Sequence, residues 1–353
     1  MTAAVEFPLI HHQRSPLQEA APGIFWLRMP LPFRPGIVNI WFLQDGDAWT
    51  AIDTGAATPK SNEIWSNAVR SLPGKVGRVI ATHSHPDHSG NAGWLQQTFG
   101  MTLWISRAEW LLARTIEGQP REKVRSEENN FFRHCDVPEP YLGLLGAGDR
   151  AFHYITPIPP VFRRMEHGDD IRIGDDSWRV IVGEGHSPEH ASLYCAERRI
   201  LLSGDQILGR IVSTVRALPN DPQDDQVGRY LRSLKHFDGL DPDTLVLPAH
   251  GRPFTGIAAR IHALREFYAG RFRHLAAKCD RPMTARECMD ESFEPEADLS
   301  RLRMLLTETF AQLNTLVARG QLKRTFADDR WLFEPAAPGS GPGFGGLSEE
   351  PVA

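Results

Sequence analysis

The chain has 353 residues, of which 41% are apolar and 24% charged, a composition typical of a soluble globular protein with a sizeable core. The length favours two structural units, and the net charge of -5 gives no general attraction to nucleic acid or to an anionic membrane surface. Residues 1–23 lack a basic start followed by an apolar run, and no stretch is apolar enough to cross a bilayer. We therefore expect a cytoplasmic protein without a membrane segment.

The chain contains four cysteines, and they are scattered without a close C-x-x-C pair: Cys135, Cys195, Cys279 and Cys288. This spacing predicts neither a disulfide framework nor a zinc site built from thiolates. Any metal site in this chain is therefore expected to use imidazole and carboxylate groups.

Hydrophobic runs in the first third of the chain predict strands and helices that alternate with polar loops. The predicted strands cover residues 24–28, 37–43, 48–52 and 76–81, and a helix is predicted at 58–72. The last of these strands stops at a polar cluster that runs from Thr82 to Gly90. The histidines of that cluster are therefore expected on a loop between a strand and a helix.

The segment from Gly118 to Pro160 mixes charged and aromatic residues without a clear period. A helical insertion at 118–160 that covers a site and a packed connector are the two interpretations that this composition allows. After it, strand-like runs form two predicted hairpins and one further strand. Each of three strand ends is followed by a histidine or an aspartate, namely His186, Asp205 and His250.

Three histidines and one aspartate occur within the six residues from His83 to His88. A single histidine among 14 carries little information, but this density indicates a metal site. His83 and His85 could bind one ion together, while Asp87 and His88 would face a neighbouring position. Imidazole and carboxylate donors without thiolate suit zinc, iron, manganese or cobalt.

The sequence His83-x-His85-x-Asp87-His88 resembles the signature of the metallo-β-lactamase superfamily, and the resemblance extends over residues 23–254. It implies an α+β fold, a four-layer αββα sandwich with the site at one edge of its two sheets. It also implies a first ion on His83, His85 and His186, a second on Asp87, His88 and His250, with Asp205 bridging. Asp53 matches the family's aspartate after the second or third strand, and we expect it to hold a ligand histidine.

The resemblance also narrows the expected reaction. Class B β-lactamases usually have a thiolate where this chain has Asp205, so antibiotic hydrolysis is disfavoured and the site is similar to that of glyoxalase II-like thioesterases. A hydroxide held between two ions is a strong nucleophile at neutral pH. We expect a metallo-hydrolase that attacks a small ester-like substrate, first a thioester. A lactonase and a ribonuclease or phosphodiesterase of the same superfamily are the alternatives.

Two divalent ions per chain are expected, with zinc first and iron or manganese as alternatives. Asp87 and His190 are the candidate catalytic residues. His190 would orient a ligand or touch the substrate, and a structural loop histidine is the competing interpretation.

The predicted catalytic domain covers residues 1–256, a winged-helix-like domain covers 257–335, and a Gly- and Pro-rich tail at 336–353 is predicted to be disordered. Helical spacing from Ile257, a capping box at Thr284, a helix closed by Gly320 and a final hairpin support the second domain. Residues 260–334 contain 13 Lys or Arg against 12 Asp or Glu. A small-molecule substrate is therefore favoured over nucleic acid, and a homodimer is a further possibility. A non-enzymatic winged-helix binding protein is the remaining hypothesis.

Overall fold

The computed structural model describes residues 4–9, 11, 17–145, 153–294 and 298–337. The chain divides into two compact units. The first unit contains residues 1–118, 149–213 and 233–262, and the second contains residues 119–148, 214–232 and 263–353. The tail predicted at 336–353 lies outside the described residues from position 338 onward.

In the described part of the chain, the first sheet has seven strands that follow one another in chain order. The first four are antiparallel neighbours and the last three join in parallel. The strands are β1 (Leu17–Ala21), β2 (Ile24–Pro30), β3 (Ile37–Asp45), β4 (Ala48–Ile52), β5 (Val76–Ile80), β6 (Thr102–Ser106) and β7 (Phe162–Met165). Since parallel neighbours need a crossover, helices connect β4, β5 and β6. They are α1 (Pro59–Ser71), α2 (Pro86–Ser89), α3 (Ala92–Phe99) and, after β6, α4 (Arg107–Gly118).

The second sheet has five strands in the order β12-β11-β10-β9-β8. Only β11 and β12 pair in parallel, and the other pairs are antiparallel. The strands are β8 (Asp170–Ile173), β9 (Asp176–Gly183), β10 (His190–Cys195), β11 (Ile200–Gly204) and β12 (Leu245–Pro248). A 3-10 helix at Leu234–Phe237 also belongs to the first unit.

Two hydrophobic clusters place the sheets in layers. One cluster contains Trp26 and Trp41 from the first sheet together with Trp178 and Leu202 from the second, so the two sheets pack face to face. The other cluster covers the opposite face of the first sheet and includes Trp65 of α1. This arrangement of helices and mixed sheets confirms the predicted α+β sandwich.

The second unit is mostly helical. Its elements are α5 (Arg121–His134), α6 (Glu139–Leu145), α7 (Gln226–Ser233), α9 (Ala285–Asp290), α10 (Leu299–Ala318), β13 (Leu322–Ala327) and β14 (Arg330–Pro335). The long helix α8 (Ile257–Lys278) starts in the first unit and continues into the second. The capping box at Thr284 is present, and Gly320 follows α10 with a φ of 67°, as predicted.

The contacts divide the chain differently from the predicted boundaries at 118–160 and 257. Residues 119–148 belong to the second unit, because Phe131 of α5 packs on Phe310 of α10 with 5.1 Å between ring centroids. Arg303 of α10 also forms an ion pair with Glu128 of α5. The described part of residues 119–148 therefore groups with the second unit, and an insertion at 118–160 that covers the site stays a prediction. The three C-terminal helices and the hairpin are found where the sequence places them, and their winged-helix character stays a prediction.

Among the described residues, no helix combines the length and the apolar composition that crossing a bilayer requires.

Candidate metal centre

The strand β5 leads into a buried loop and then into the short helix α2, and the histidine motif lies across both. Pro86 stands at the start of α2, where its missing N–H costs no hydrogen bond. The backbone turns so tightly here that a Cβ atom at Gly90 would lie 2.1 Å from the carbonyl oxygen of Pro86. His83 and His88 have no exposed surface, and Asp87 is 7% exposed. The motif is therefore held rigidly inside the first unit.

A first group of nitrogen atoms converges at one end of this motif. Nε2 of His83 lies 2.9 Å from Nδ1 of His85 and 3.1 Å from Nε2 of His186. His186 reaches this point from the loop that follows β9. The three histidines can hold one metal ion.

A second group forms beside the first. Nε2 of His250 lies 3.3 Å from Oδ2 of Asp87, and Nε2 of His88 lies 3.5 Å from the same oxygen. His250 follows β12, so this group also combines two distant parts of the sequence. These three residues form another candidate metal site.

Asp205 directly follows β11 and contacts both groups. Its Oδ2 lies 3.5 Å from Nε2 of His186 and 3.5 Å from Nε2 of His88, and its Oδ1 lies 3.4 Å from Nε2 of His250. Asp205 with His83 and His88 makes a third set of donors close enough to hold an ion. A carboxylate in this position can share its two oxygens between neighbouring cations.

The donor atoms themselves test whether cations fit here. Nε2 of His88 and Oδ1 of Asp205 are buried, and neither has a hydrogen-bond partner among the residues described. Buried polar atoms without partners are rare, and a bound ion is one of the standard reasons for them. Burial raises the pKa of the Asp205 carboxyl, but His250 and His88 outweigh it and hold the pKa well below its usual range. The residues present therefore fit divalent cations.

Asp53 holds the histidine motif from behind. Its Oδ1 accepts a hydrogen bond from the backbone N–H of Thr82 at 2.8 Å, and its Oδ2 lies 2.8 Å from Nδ1 of His88. The Thr82 hydroxyl lies 3.1 Å from Oδ2 of Asp53 and 3.0 Å from Nδ1 of His83. Asp53 thus fixes His88 directly and His83 through Thr82. It directly follows β4, which delivers it to this edge of the sheet.

Two further outer contacts were not predicted from the sequence. Nδ1 of His186 lies 3.1 Å from Oγ of Ser213, and Nδ1 of His250 lies 2.7 Å from the carbonyl oxygen of Ile37. Each contact engages Nδ1, and Nε2 of the same ring faces the centre. A backbone carbonyl carries no signal in the sequence, and Ser213 lies in a loop without a motif.

His190 is the first residue of β10, so it is a strand residue rather than a loop histidine. It has no exposed surface, and its Nε2 accepts a hydrogen bond from the backbone N–H of Asp205 at 3.0 Å. Gly204 makes this approach possible, because a Cβ atom there would lie 2.5 Å from Nε2 of His190. His190 therefore contacts the backbone of Asp205 and presents no surface to the solvent, and the role of orienting this ligand stays a prediction.

Comparison with known proteins agrees with this geometry. Residues 33–250 match the metallo-beta-lactamase superfamily, and residues 272–336 match the metallo-beta-lactamase-like C-terminal domain. A beta-lactamase domain protein from Burkholderia ambifaria has a crystal structure with a TM-score of 0.85 and 32% identity, and the match covers 94% of this chain and 98% of that chain.

Two curated relatives are also informative. A probable metallo-hydrolase from Bacillus subtilis (strain 168) is 26% identical over 305 residues, which are 83% of this chain and 91% of the relative. An acyl-coenzyme A thioesterase from Homo sapiens is 29% identical over 242 residues, which are 66% of this chain and 79% of the relative.

The match over residues 33–250 includes the whole candidate metal centre and most of both sheets. The donor groups of the site are those that a hydrolytic metal centre requires. The chain is a metallo-hydrolase, and it belongs to the metallo-β-lactamase superfamily.

Proposed function

We propose that this metallo-hydrolase cleaves a thioester of a small molecule at a centre of two zinc ions. The observation that supports this proposal most strongly is the position of Asp205, whose two oxygens lie within 3.5 Å of His88, His186 and His250. This carboxylate links the two donor groups where a class B β-lactamase usually has a thiolate. Iron and manganese suit the same donors and are the alternative metals.

The chemistry supplied by such ions, when bound, is a hydroxide nucleophile at neutral pH and polarisation of the acyl carbonyl. The protein's own contribution is to fix the donors. Asp53, Ser213 and the Ile37 carbonyl hold the rings of His88, His186 and His250, so that their Nε2 atoms point to the centre. Asp87 completes the second donor group, and among the candidate ligands it is the one to which we assign a catalytic role.

The leaving group favours a thioester over esters with poor leaving groups. A thiol has a pKa of about 8.5, so it departs as thiolate without a proton from the protein. An alkoxide needs a proton donor, and His190 does not offer one to a substrate, because it is buried and bonded to the Asp205 amide. The similarity to an acyl-coenzyme A thioesterase from Homo sapiens, 29% identical over 66% of this chain, supports the same substrate class.

The test is thiol release from a panel of acyl-CoA and acyl-glutathione thioesters by purified protein. Lactones and single-stranded RNA are assayed in parallel. We expect thioester turnover that chelation abolishes and that Asp87→Ala removes. Asp175→Ala, which changes an exposed aspartate in the turn between β8 and β9, should leave turnover intact. Turnover of lactones or RNA alone, by protein with its full metal content, would overturn the thioester proposal.

A further inference from the structure

We propose that Glu109 is a positioning residue that braces the two loops carrying His83, His85 and His186. Glu109 lies in the first turn of α4 and has no exposed surface. The inference rests on the metal centre and does not depend on the identity of the substrate. A carboxylate this deeply buried needs partners that compensate for lost water.

Each oxygen of Glu109 bonds a different loop of the site. Its Oε2 accepts from the backbone N–H of Ser84 at 2.9 Å, and Ser84 lies between His83 and His85 in the sequence. Its Oε1 accepts from the backbone N–H of Glu189 at 2.8 Å, in the loop between β9 and β10 that also carries His186. One side chain therefore bridges the two backbone segments from which the first group of histidines projects.

Two further bonds join the second loop to the end of β6 and the start of α4. The Glu189 carboxylate accepts from the backbone N–H of Ala108 at 3.0 Å, where the start of a helix has unpaired donors. The hydroxyl of Ser106 donates to the carbonyl oxygen of Glu189 at 2.9 Å. The start of α4 and the loop 184–189 are therefore joined by bonds in both directions.

This brace acts on the geometry of the ion site more than on the fold. The backbone N–H of Ala191 bonds the carbonyl oxygen of Thr82 at 2.8 Å, and Glu109 takes no part in that bond. The two loops therefore stay close without Glu109. What changes is the angle at which His83, His85 and His186 present their nitrogen atoms.

Glu109→Gln is the sharpest variant, because glutamine keeps the shape of the side chain but has only one acceptor oxygen. Its amide group would face one of the two backbone N–H donors, so one loop would lose its contact. A packing role predicts that glutamine behaves like the native residue, whereas a bracing role predicts that it does not. Glu117→Gln is the matched control on the same helix, since Glu117 also accepts a backbone hydrogen bond, from Ile158 at 3.1 Å.

The readouts need no substrate, so failure of the thioester proposal leaves this test intact. Stepwise metal affinity is measured by competition with a chromophoric chelator, and coordination geometry by the visible spectrum of the cobalt(II)-loaded protein. We expect Glu109→Gln to bind one of two ions about 10- to 100-fold more weakly, with a changed cobalt spectrum. Glu117→Gln should match the native protein in both readouts.

A milder variant settles the question if Glu109→Gln does not fold. Ser106→Ala removes only the hydroxyl that bonds the Glu189 carbonyl, and we expect a smaller shift of the cobalt spectrum in the same direction. Native affinities and a native spectrum in folded Glu109→Gln would overturn the proposal. If Glu109→Gln does not fold, an unchanged spectrum in Ser106→Ala would overturn it as well.

Discussion

The carboxylate of Asp53 lies 2.8 Å from Nδ1 of His88, on the side of the ring away from the candidate ions. Both side chains are buried, and the backbone of Asp53 has a φ of 66°, a region that aspartate and asparagine tolerate better than most residues. The position therefore allows a test in which only the charge and the acceptor pattern change.

Asp53→Asn should weaken metal binding about 10- to 100-fold, because the amide cannot accept from Thr82 and His88 on both sides. Metal content after dialysis and hydrolytic activity should fall together. Asp47→Asn, at an exposed position in the turn after β3, is the control. Full metal content in Asp53→Asn would show that Asp53 does not orient His88.

Ser213→Ala removes the hydroxyl that lies 3.1 Å from Nδ1 of His186. We expect a smaller effect than for Asp53→Asn, about 10-fold in metal affinity, because a neutral contact to one ring is lost. The affinity of each ion is measured separately by chelator competition. If the affinity for both ions fell equally, the effect would not be specific to the site formed by His83, His85 and His186.

Removal of the metal should lower the thermal stability of the protein. Ions that bind only the folded state stabilise it, by about 2.7 kcal/mol at a free concentration 100 times the dissociation constant. Calorimetry of chelated protein should show a lower unfolding midpoint that returns when zinc is added. A midpoint that does not respond to zinc would contradict a preformed centre at these residues.

Glu308 of α10 gives a prediction about pH. Burial raises its pKa to about 7, although Arg216 and Arg271 oppose the shift. The folded state therefore holds a proton that the unfolded state releases near 4.5, so stability should fall as pH rises from about 4.5 to above 7.

Glu308→Gln should remove this contribution, which is at most about 3 kcal/mol. Urea unfolding at pH 5 and pH 8 measures it. Glu294→Gln, at an exposed position in the same unit, serves as the control. An equal pH dependence in Glu308→Gln and the native protein would refute the assignment.

The sequence predicted the centre of the site better than its surroundings. His83, His85, Asp87 and His88 are recognisable because they lie within six residues, and the resemblance added His186, Asp205, His250 and Asp53. The structure brings all of these together. Glu109 and Ser213 could not be predicted, because each acts through a contact with a distant loop and neither belongs to a motif.

In the region 118–160, the residues that determine the packing have partners far away in the sequence. Phe131 and Phe132 are adjacent, which obscures helical periodicity, and Phe310, which packs on Phe131, lies far along the chain. Glu128 is likewise a helix charge whose partner, Arg303, belongs to α10. Long-range packing of this kind leaves no local pattern, so the boundaries of the two units could not be predicted.

The most direct test of the proposed function is a metal titration of the chelated protein with zinc, with release of thiol from the best acyl-CoA or acyl-glutathione thioester as the readout. We expect activity to rise with added zinc, to reach its plateau at about two ions per chain, and to stay absent in Asp87→Ala at every zinc concentration. Full activity in the chelated protein, or no thiol release across the panel from protein with two bound ions, would contradict it.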